Sequence, residues 1–334
     1  MGKETVYIEK QVIIRLSVSL LFLVFFLLSC STSGEKGVDT INEESAKEYI
    51  ETLAHDNMEG RRTYSEGALK AADYIAGCLS DIGIAPYKES YFQEFGVDDV
   101  PTLDFYTEYP LIYEGDTIRN ILGKIEGKNK DEFVIVGAHY DHLGVNAQLI
   151  NDSIFNGADD NASGVSAVLQ MAKAFIASNE LPSRTIIFAF WDAEEMGLIG
   201  SKCFVETFDE ISRIKLYLNL DMIGRYKKDP YSKLNITYSD SISSKIQFLH
   251  KEIKKSRLNI KLVKINEEIN QELIGGSDHA SFEKKKIPIL FFNTGVHVDY
   301  HEPTDHTEKI CLEELTVITK IAYNTLYKLV NTKM

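Results

Sequence analysis

The sequence predicts an α/β fold, with a mostly parallel mixed sheet flanked by helices on both faces. Three observations carry that expectation. Residues 133–138, 184–190, 215–220 and 287–292 are near-continuous apolar runs, with Arg184, Thr185, Lys215 and Asn219 as the polar exceptions, as expected of strands buried on both faces. Helical periodicity fills the intervals between them, the mark of crossover connections. Composition is that of an ordinary globular chain, 44% hydrophobic and 26% charged over 334 residues, so a sizeable core is available.

In chain order, residues 1–30 stand apart. Lys3, Lys10 and Arg15 form a basic lead, residues 16–28 are apolar except for Ser17 and Ser19, and the run stops at Leu27-Leu28-Ser29-Cys30. A basic start, a short apolar stretch and a small residue before the cut describe a secretory signal. The run is shorter than the roughly 20 apolar residues that span a bilayer. Its ending resembles a bacterial lipobox, which implies lipidation at Cys30. The expected product is exported and held to a bacterial membrane by its lipid alone, on the periplasmic or cell-surface side. Residues 31–40 are polar and read as a tether, and 41–334 as one domain.

Segments 44–53 and 68–82 are helical, the second with Ala71, Ile75, Cys78, Leu79 and Ile82 at helical spacing, and 57–62 is a polar loop between them. Residues 85–130 read as short strands and turns. After the strand at 133–138, Val165, Val168, Leu169, Ala172 and Phe175 line one side of a helix at 162–178. The strand at 184–190 precedes a helix starting within 198–204. The strand at 215–220 is followed by an amphipathic helix over 241–257, the strand at 287–292, and a closing helix over 312–330. No internal repeat or linker divides 41–334. Three cysteines follow Cys30, namely Cys78, Cys203 and Cys311, too few and too scattered for a disulfide framework or a thiolate metal site. The formal charge of −14 argues against nucleic-acid binding, which needs a basic footprint.

Sites on open α/β sheets form beyond the carboxyl ends of the strands. The first apolar run is followed by His139-Tyr140-Asp141-His142, the second by Trp191-Asp192-Ala193-Glu194-Glu195, the third by Asp221, and the fourth by a loop with His297, Asp299, His301 and Asp305. A further acidic loop holds Asp159 and Asp160. One histidine or aspartate after a strand is ordinary capping or surface chemistry. Four strand ends carrying them together is not. Mixed carboxylate and imidazole donors suit zinc or a similar divalent ion. Without cations, such carboxylates would raise one another's pKa, and two divalent ions would remove the conflict.

Six pieces in this order resemble the co-catalytic two-zinc aminopeptidases of peptidase family M28. They are Gly137-Ala-His139-Tyr-Asp141-His142, Gly157-Ala-Asp-Asp160-Asn-Ala-Ser-Gly164, Asp192-Ala-Glu194-Glu195-Met-Gly-Leu, Asn219-Leu-Asp221-Met-Ile-Gly224, Gly276-Ser-Asp-His279 and Asp299-Tyr-His301-Glu-Pro-Thr-Asp305. The resemblance implies a zinc-peptidase sandwich of the phosphorylase/hydrolase type. It implies two Zn2+, one on His139 and Asp221 and one on Glu195 and His301, bridged by Asp160. Glu194 would be the general base, and both adjacent glutamates could face the site only if the strand has already turned. Asp141 and Asp305 would accept hydrogen bonds from His139 and His301, and the Asp160–Asn161 peptide would be cis. The implied reaction is removal of N-terminal residues from peptides with a free amino end, which an acidic rim would attract.

Other residues stay open. His142 and His297 shape a pocket or hydrogen-bond within loops. Ser277-Asp278-His279 lines a pocket or caps a helix at Ala280. Tyr300 supports an oxyanion or packs. His55 and His250 read as surface, and His306 is near the site by sequence only. No His-Glu-x-x-His, Gly-x-Ser-x-Gly or phosphate-loop signature is present. Two rival readings remain, a one-zinc glutaminyl-cyclase-like enzyme and a catalytically inactive binding lipoprotein.

Overall fold

The structure, a computed structural model, describes residues 37–96, 117–226, 232–265 and 276–333. The signal segment with Cys30, and residues 31–36 of the expected tether, lie outside the described residues. Residues 37–40 are packed rather than extended. A Cβ on buried Gly37 would stand 2.2 Å from the Tyr323 hydroxyl and 2.4 Å from the Ala174 carbonyl, so only glycine lets the chain lie this close.

The chain opens with helices α1 (Glu43–Leu53) and α2 (Glu66–Ile82). Asn42 and Ser65 cap them by accepting the amides of Ser45 and Ala68. Then come β1 (Ala85–Pro86), β2 (Phe92–Phe95), β3 (Ile118–Ile125), β4 (Asn129–His139), β5 (Gly144–Val145) and β6 (Ile154–Phe155). Helix α3 (Gly164–Ser178), β7 (Arg184–Trp191), α4 (Ile199–Thr207) and β8 (Ile214–Leu220) follow. The remaining elements are β9 (Leu234–Ser239), α5 (Leu249–Ser256), β10 (Ile260–Ile265), α6 (His279–Lys284), β11 (Ile289–Asn293) and α7 (Leu312–Asn331).

The main sheet runs β1-β3-β7-β4-β8-β11-β9-β10, with β2 on β3. Its centre, β7-β4-β8-β11, is parallel. Antiparallel pairings at β3/β7 and β11/β9 give the sheet mixed margins. Successive side chains of the central strands point to opposite faces, which explains the near-continuous apolar runs. Val134, Val136, Ile186, Phe188, Leu216 and Leu218 pack with α1, α2, α3 and α7. Phe133, Ile135, Ile187, Trp191 and Tyr217 pack on the other face with Phe204 of α4 and Phe282 of α6.

Two local expectations are corrected. The amphipathic segment 241–257 is α-helical only over Leu249–Ser256; before it come a short 3-10 turn at Asp240–Ile242 and irregular turns, where the Ser243 hydroxyl donates to the Asp240 carboxylate, a local bond that competes with α-helix. Strands β9 and β10 lie where no strand is expected; in β10, Lys261 and Lys264 interrupt the apolar pattern of a half-buried edge, and β9 is a short six-residue strand with Asn235, Thr237 and Ser239 among its apolar residues.

Helix α6 fixes the Ser277–His279 segment. The Phe282 ring stacks on Tyr217 at 3.8 Å, and the His279 ring stacks on Phe291 at 4.3 Å. Burial pushes the His279 imidazole down to about 4, so it is neutral in the folded protein. An unfolded chain protonates this ring near pH 6.5, whereas the folded chain resists until about pH 4. Stability from this group is therefore lost as pH falls through that window. Between pH 7 and pH 5, His279→Phe should lose about 2 kcal/mol less unfolding free energy than the parent protein. Urea titrations at the two pH values measure the difference; equal losses would remove His279 as the acid-sensitive group.

Candidate metal centre

Each parallel central strand delivers its next residues to one rim of the sheet. His139 is the last residue of β4, Asp221 directly follows β8, and the segment after β7 carries Glu194 and Glu195. Asp160 lies in the tight turn before α3, and His301 in the loop after β11. The turn after β7 is made at Ala193, whose φ of 54° reverses the chain, and the Gly197 amide then donates to the Glu194 carbonyl. This is how two neighbouring glutamates reach one site. The Asp160–Asn161 peptide is cis. The turn starts at Gly157, with a φ of 56°, where a Cβ would stand 2.1 Å from the Asp160 carbonyl and 2.6 Å from the His142 ring.

The donor atoms fall into two groups that share one carboxylate. His139 Nε2 lies 3.3 Å from Asp160 Oδ1 and 3.5 Å from Asp221 Oδ1. His301 Nε2 lies 3.4 Å from Asp160 Oδ2 and 3.1 Å from Glu195 Oε2. Tetrahedral ligands at about 2.0–2.1 Å from an ion are separated by about 3.3 Å, so these spacings are those of a ligand shell. Asp221 Oδ1 is buried and has no hydrogen-bond partner among the described residues, a costly state for a carboxylate without a cation. A Glu194 oxygen gathers with His139 and Asp221 within 4.8 Å. The residues thus fit divalent cations, with Asp160 offering one oxygen to each group.

Electrostatics agree. Burial and the neighbouring Glu195, Asp278 and Asp221 hold the Glu194 carboxyl well above the usual carboxylate range, against the pull of His139. Burial opposes charge on His139, but Glu194 and Asp221 outweigh it and keep the ring well above its ordinary value. For His301, Asp160 and Glu195 overcome burial and push the imidazole up to about 10. The clustered carboxylates thus favour positive charge beside them, a role that a divalent ion can fill.

Supporting residues differ from expectation at two positions. The Asp141 carboxylate accepts the Glu194 amide at 3.0 Å and the Glu195 amide at 3.2 Å. The His139 ring instead faces the Asp141 backbone carbonyl at 3.2 Å, with the carboxylate farther away at 3.7 Å. Asp305 is not paired with His301. Its Oδ2 accepts the amides of Asp159 at 2.8 Å and Asp160 at 3.1 Å, and its Oδ1 meets Arg225. Two donors converging from the turn before α3, with an arginine behind, satisfy this buried carboxylate better than one exposed ring could.

Of the residues left open, His142 Nδ1 pairs with Glu195 Oε1 at 2.8 Å and His297 Nε2 with Asp159 Oδ2 at 3.1 Å. Tyr300 stacks on the His301 ring at 3.8 Å. Ser277 accepts from Asn219 at 2.7 Å, in a chain that continues through Tyr217 to Trp191. His306 pairs with Asp152 at 2.9 Å, outside the donor groups. Sequence reading missed Arg61 and Arg225. Arg61 is buried and donates only to backbone carbonyls, those of Tyr140, Leu53, Asn156 and Gly157. Its one available signal was a charged side chain beside Gly60 in an otherwise polar loop.

The sequence profile described as Peptidase family M28 matches residues 120–326. Leupeptin-inactivating enzyme 1 of Streptomyces exfoliatus is 28% identical over 270 residues, covering 78% of this chain and 50% of that protein. The chain therefore spans about half the length of this relative. A zinc aminopeptidase from Bacillus subtilis superposes with a TM-score of 0.65 at 19% identity, over 88% of this chain and 97% of its own. Glutaminyl cyclase from Porphyromonas gingivalis superposes with a TM-score of 0.62 at 17% identity, over 86% and 98%. These two likenesses concern the fold and do not separate the two chemistries.

Asp141→Ala tests the support under the two glutamates. It strands two amides and should cost about 2–4 kcal/mol of stability. It should also weaken divalent-cation binding roughly 10–100-fold, because ligand-orienting partners act on that scale. Urea unfolding and calorimetric zinc titration of the same variant read both effects; unchanged zinc affinity would show that Asp141 does not orient the donors.

Proposed function

The chain belongs to peptidase family M28, and from that premise we propose that it is a zinc-dependent aminopeptidase removing N-terminal residues from peptides. The observation that carries this reading is the shared carboxylate of Asp160, with one oxygen near each histidine-centred group. In this reading His139, Asp221 and Asp160 would hold one zinc, and Glu195, His301 and Asp160 would hold a second. Bound zinc supplies Lewis acidity, lowering the pKa of coordinated water and polarising a peptide carbonyl.

The chain's own residues do the rest. Glu194, whose carboxyl is held high by burial, takes a proton on its side-chain oxygen and returns it to the departing amine. His142 fixes the Glu195 carboxylate through Oε1, leaving Oε2 for the metal. The acidic rim draws the substrate's terminal ammonium, which favours trimming from the amino end over internal cleavage. The lipobox-like ending at Cys30 supports export and lipid anchoring, so the substrates are extracytoplasmic peptides. A one-zinc cyclase would not need the paired His139 and Asp221.

Bound metal per chain and release of arylamine from aminoacyl-arylamides test the reading together. Two zinc ions and chelator-sensitive release are expected. Glu194→Gln should keep both ions and lose roughly 10²–10⁴-fold in turnover. One ion with cyclisation of N-terminal glutamine would replace the aminopeptidase with the cyclase, and no metal after zinc supplementation would leave a binding protein.

A further inference from the structure

His301 has the least rigid support of the proposed ligands. It lies in an irregular loop, its side chain is 37% exposed, and its φ is 56°. The other four come from strand ends and the turns beside them. What holds this loop is an ion-pair bridge centred on Arg225, four residues beyond Asp221. Arg225 is buried, and its two terminal nitrogens reach different aspartates of the same loop. Nη2 meets Asp299 Oδ2, two residues before His301, and Nη1 meets Asp305 Oδ1 at 3.2 Å.

Each aspartate has a second attachment. Asp299 Oδ1 accepts Lys309 Nζ at 2.6 Å and Thr304 Oγ1 at 2.7 Å, which closes the loop on itself. Asp305 Oδ2 accepts the amides of Asp159 and Asp160. Next to Arg225, the Gly224 amide donates to Asp159 Oδ1 at 2.6 Å. The segment after β8, the turn carrying Asp160 and the loop carrying His301 are thus tied at one guanidinium.

We infer that Arg225 is a positioning residue that sets the His301 loop against Asp160, and so controls the metal group formed by His301, Glu195 and Asp160. The inference rests on the two-zinc reading above. Arg225 touches none of the five ligands directly. It acts through Asp299, and through Asp305 to the backbone of Asp160. The His139–Asp221 group shares Asp160 with it but takes its other two ligands from strand ends, so it depends on this bridge less. Only a planar, two-armed cation matches the arrangement; lysine supplies the charge at a single point.

Calorimetric titration of metal-stripped protein with zinc sulfate separates the outcomes, with thermal unfolding as a check on folding. Wild type should take up two ions. Arg225→Met should bind one ion roughly 10–100-fold more weakly and the other with a clearly smaller loss. Arg225→Lys should bind that weaker ion with intermediate affinity. Unchanged binding of both ions by Arg225→Met, or equal weakening of both, would overturn the inference. Full restoration by lysine would reduce Arg225 to charge compensation and overturn it too. Should Arg225→Met not fold, Asp299→Asn breaks one arm and should weaken the same ion most. A wild type that binds no zinc overturns the two-zinc reading and this inference together, and shows itself before any variant is made.

Discussion

Five carboxylates converge within a few ångströms at a largely dry rim: Asp141, Asp160, Glu194, Glu195 and Asp221. In water their mutual repulsion would be modest, but away from solvent it is large. The surrounding architecture answers that constraint. Asp141 is hydrogen-bonded by two backbone amides at the turn after β7. Asp160 is flanked by two imidazoles. Arg61 and Arg225 lie buried close by, one against backbone carbonyls and the other against aspartates. Asp221 Oδ1 has no hydrogen-bond partner among the described residues and faces His139 Nε2 at 3.5 Å, an environment that suits a cation.

The sheet determines where this charge can gather. Parallel strands β4, β7 and β8 end side by side, so their following residues meet without long excursions of chain. Both faces are sealed by helices, which leaves the strand ends as the open ground for chemistry. The aromatic packing of Trp191, Tyr217, Phe204 and Phe282 lies directly beneath and fixes the platform from which the loops depart.

The central strands and their site-bearing ends could be read from the sequence because each is a near-continuous apolar run with polar residues just beyond it. His139, Glu194, Glu195 and Asp221 fall at such boundaries, and the cis bond at Asp160 accompanied the motif. Less visible were features whose partners are distant in the chain. Asp305 serves amides 145 and 146 positions away, and Arg225 finds its aspartates 74 and 80 positions away. Local pattern holds no trace of such pairings. Strand β10 escaped notice because edge lysines break its periodicity, and the first half of the helix expected over 241–257 is a 3-10 turn and irregular turns, with the Ser243 hydroxyl bonded to Asp240.

Strand β7 lies between β3 and β4, although those two follow one another in the chain with only three residues between them. During synthesis, β3 and β4 are therefore made long before the strand that separates them. Until residue 191 has emerged, both present unpaired backbone edges, and direct hairpin pairing of the two is a wrong turn that the native topology must undo. The order of synthesis thus leaves these two edges open for longer than the finished sheet does, and an open strand edge is where another chain can pair.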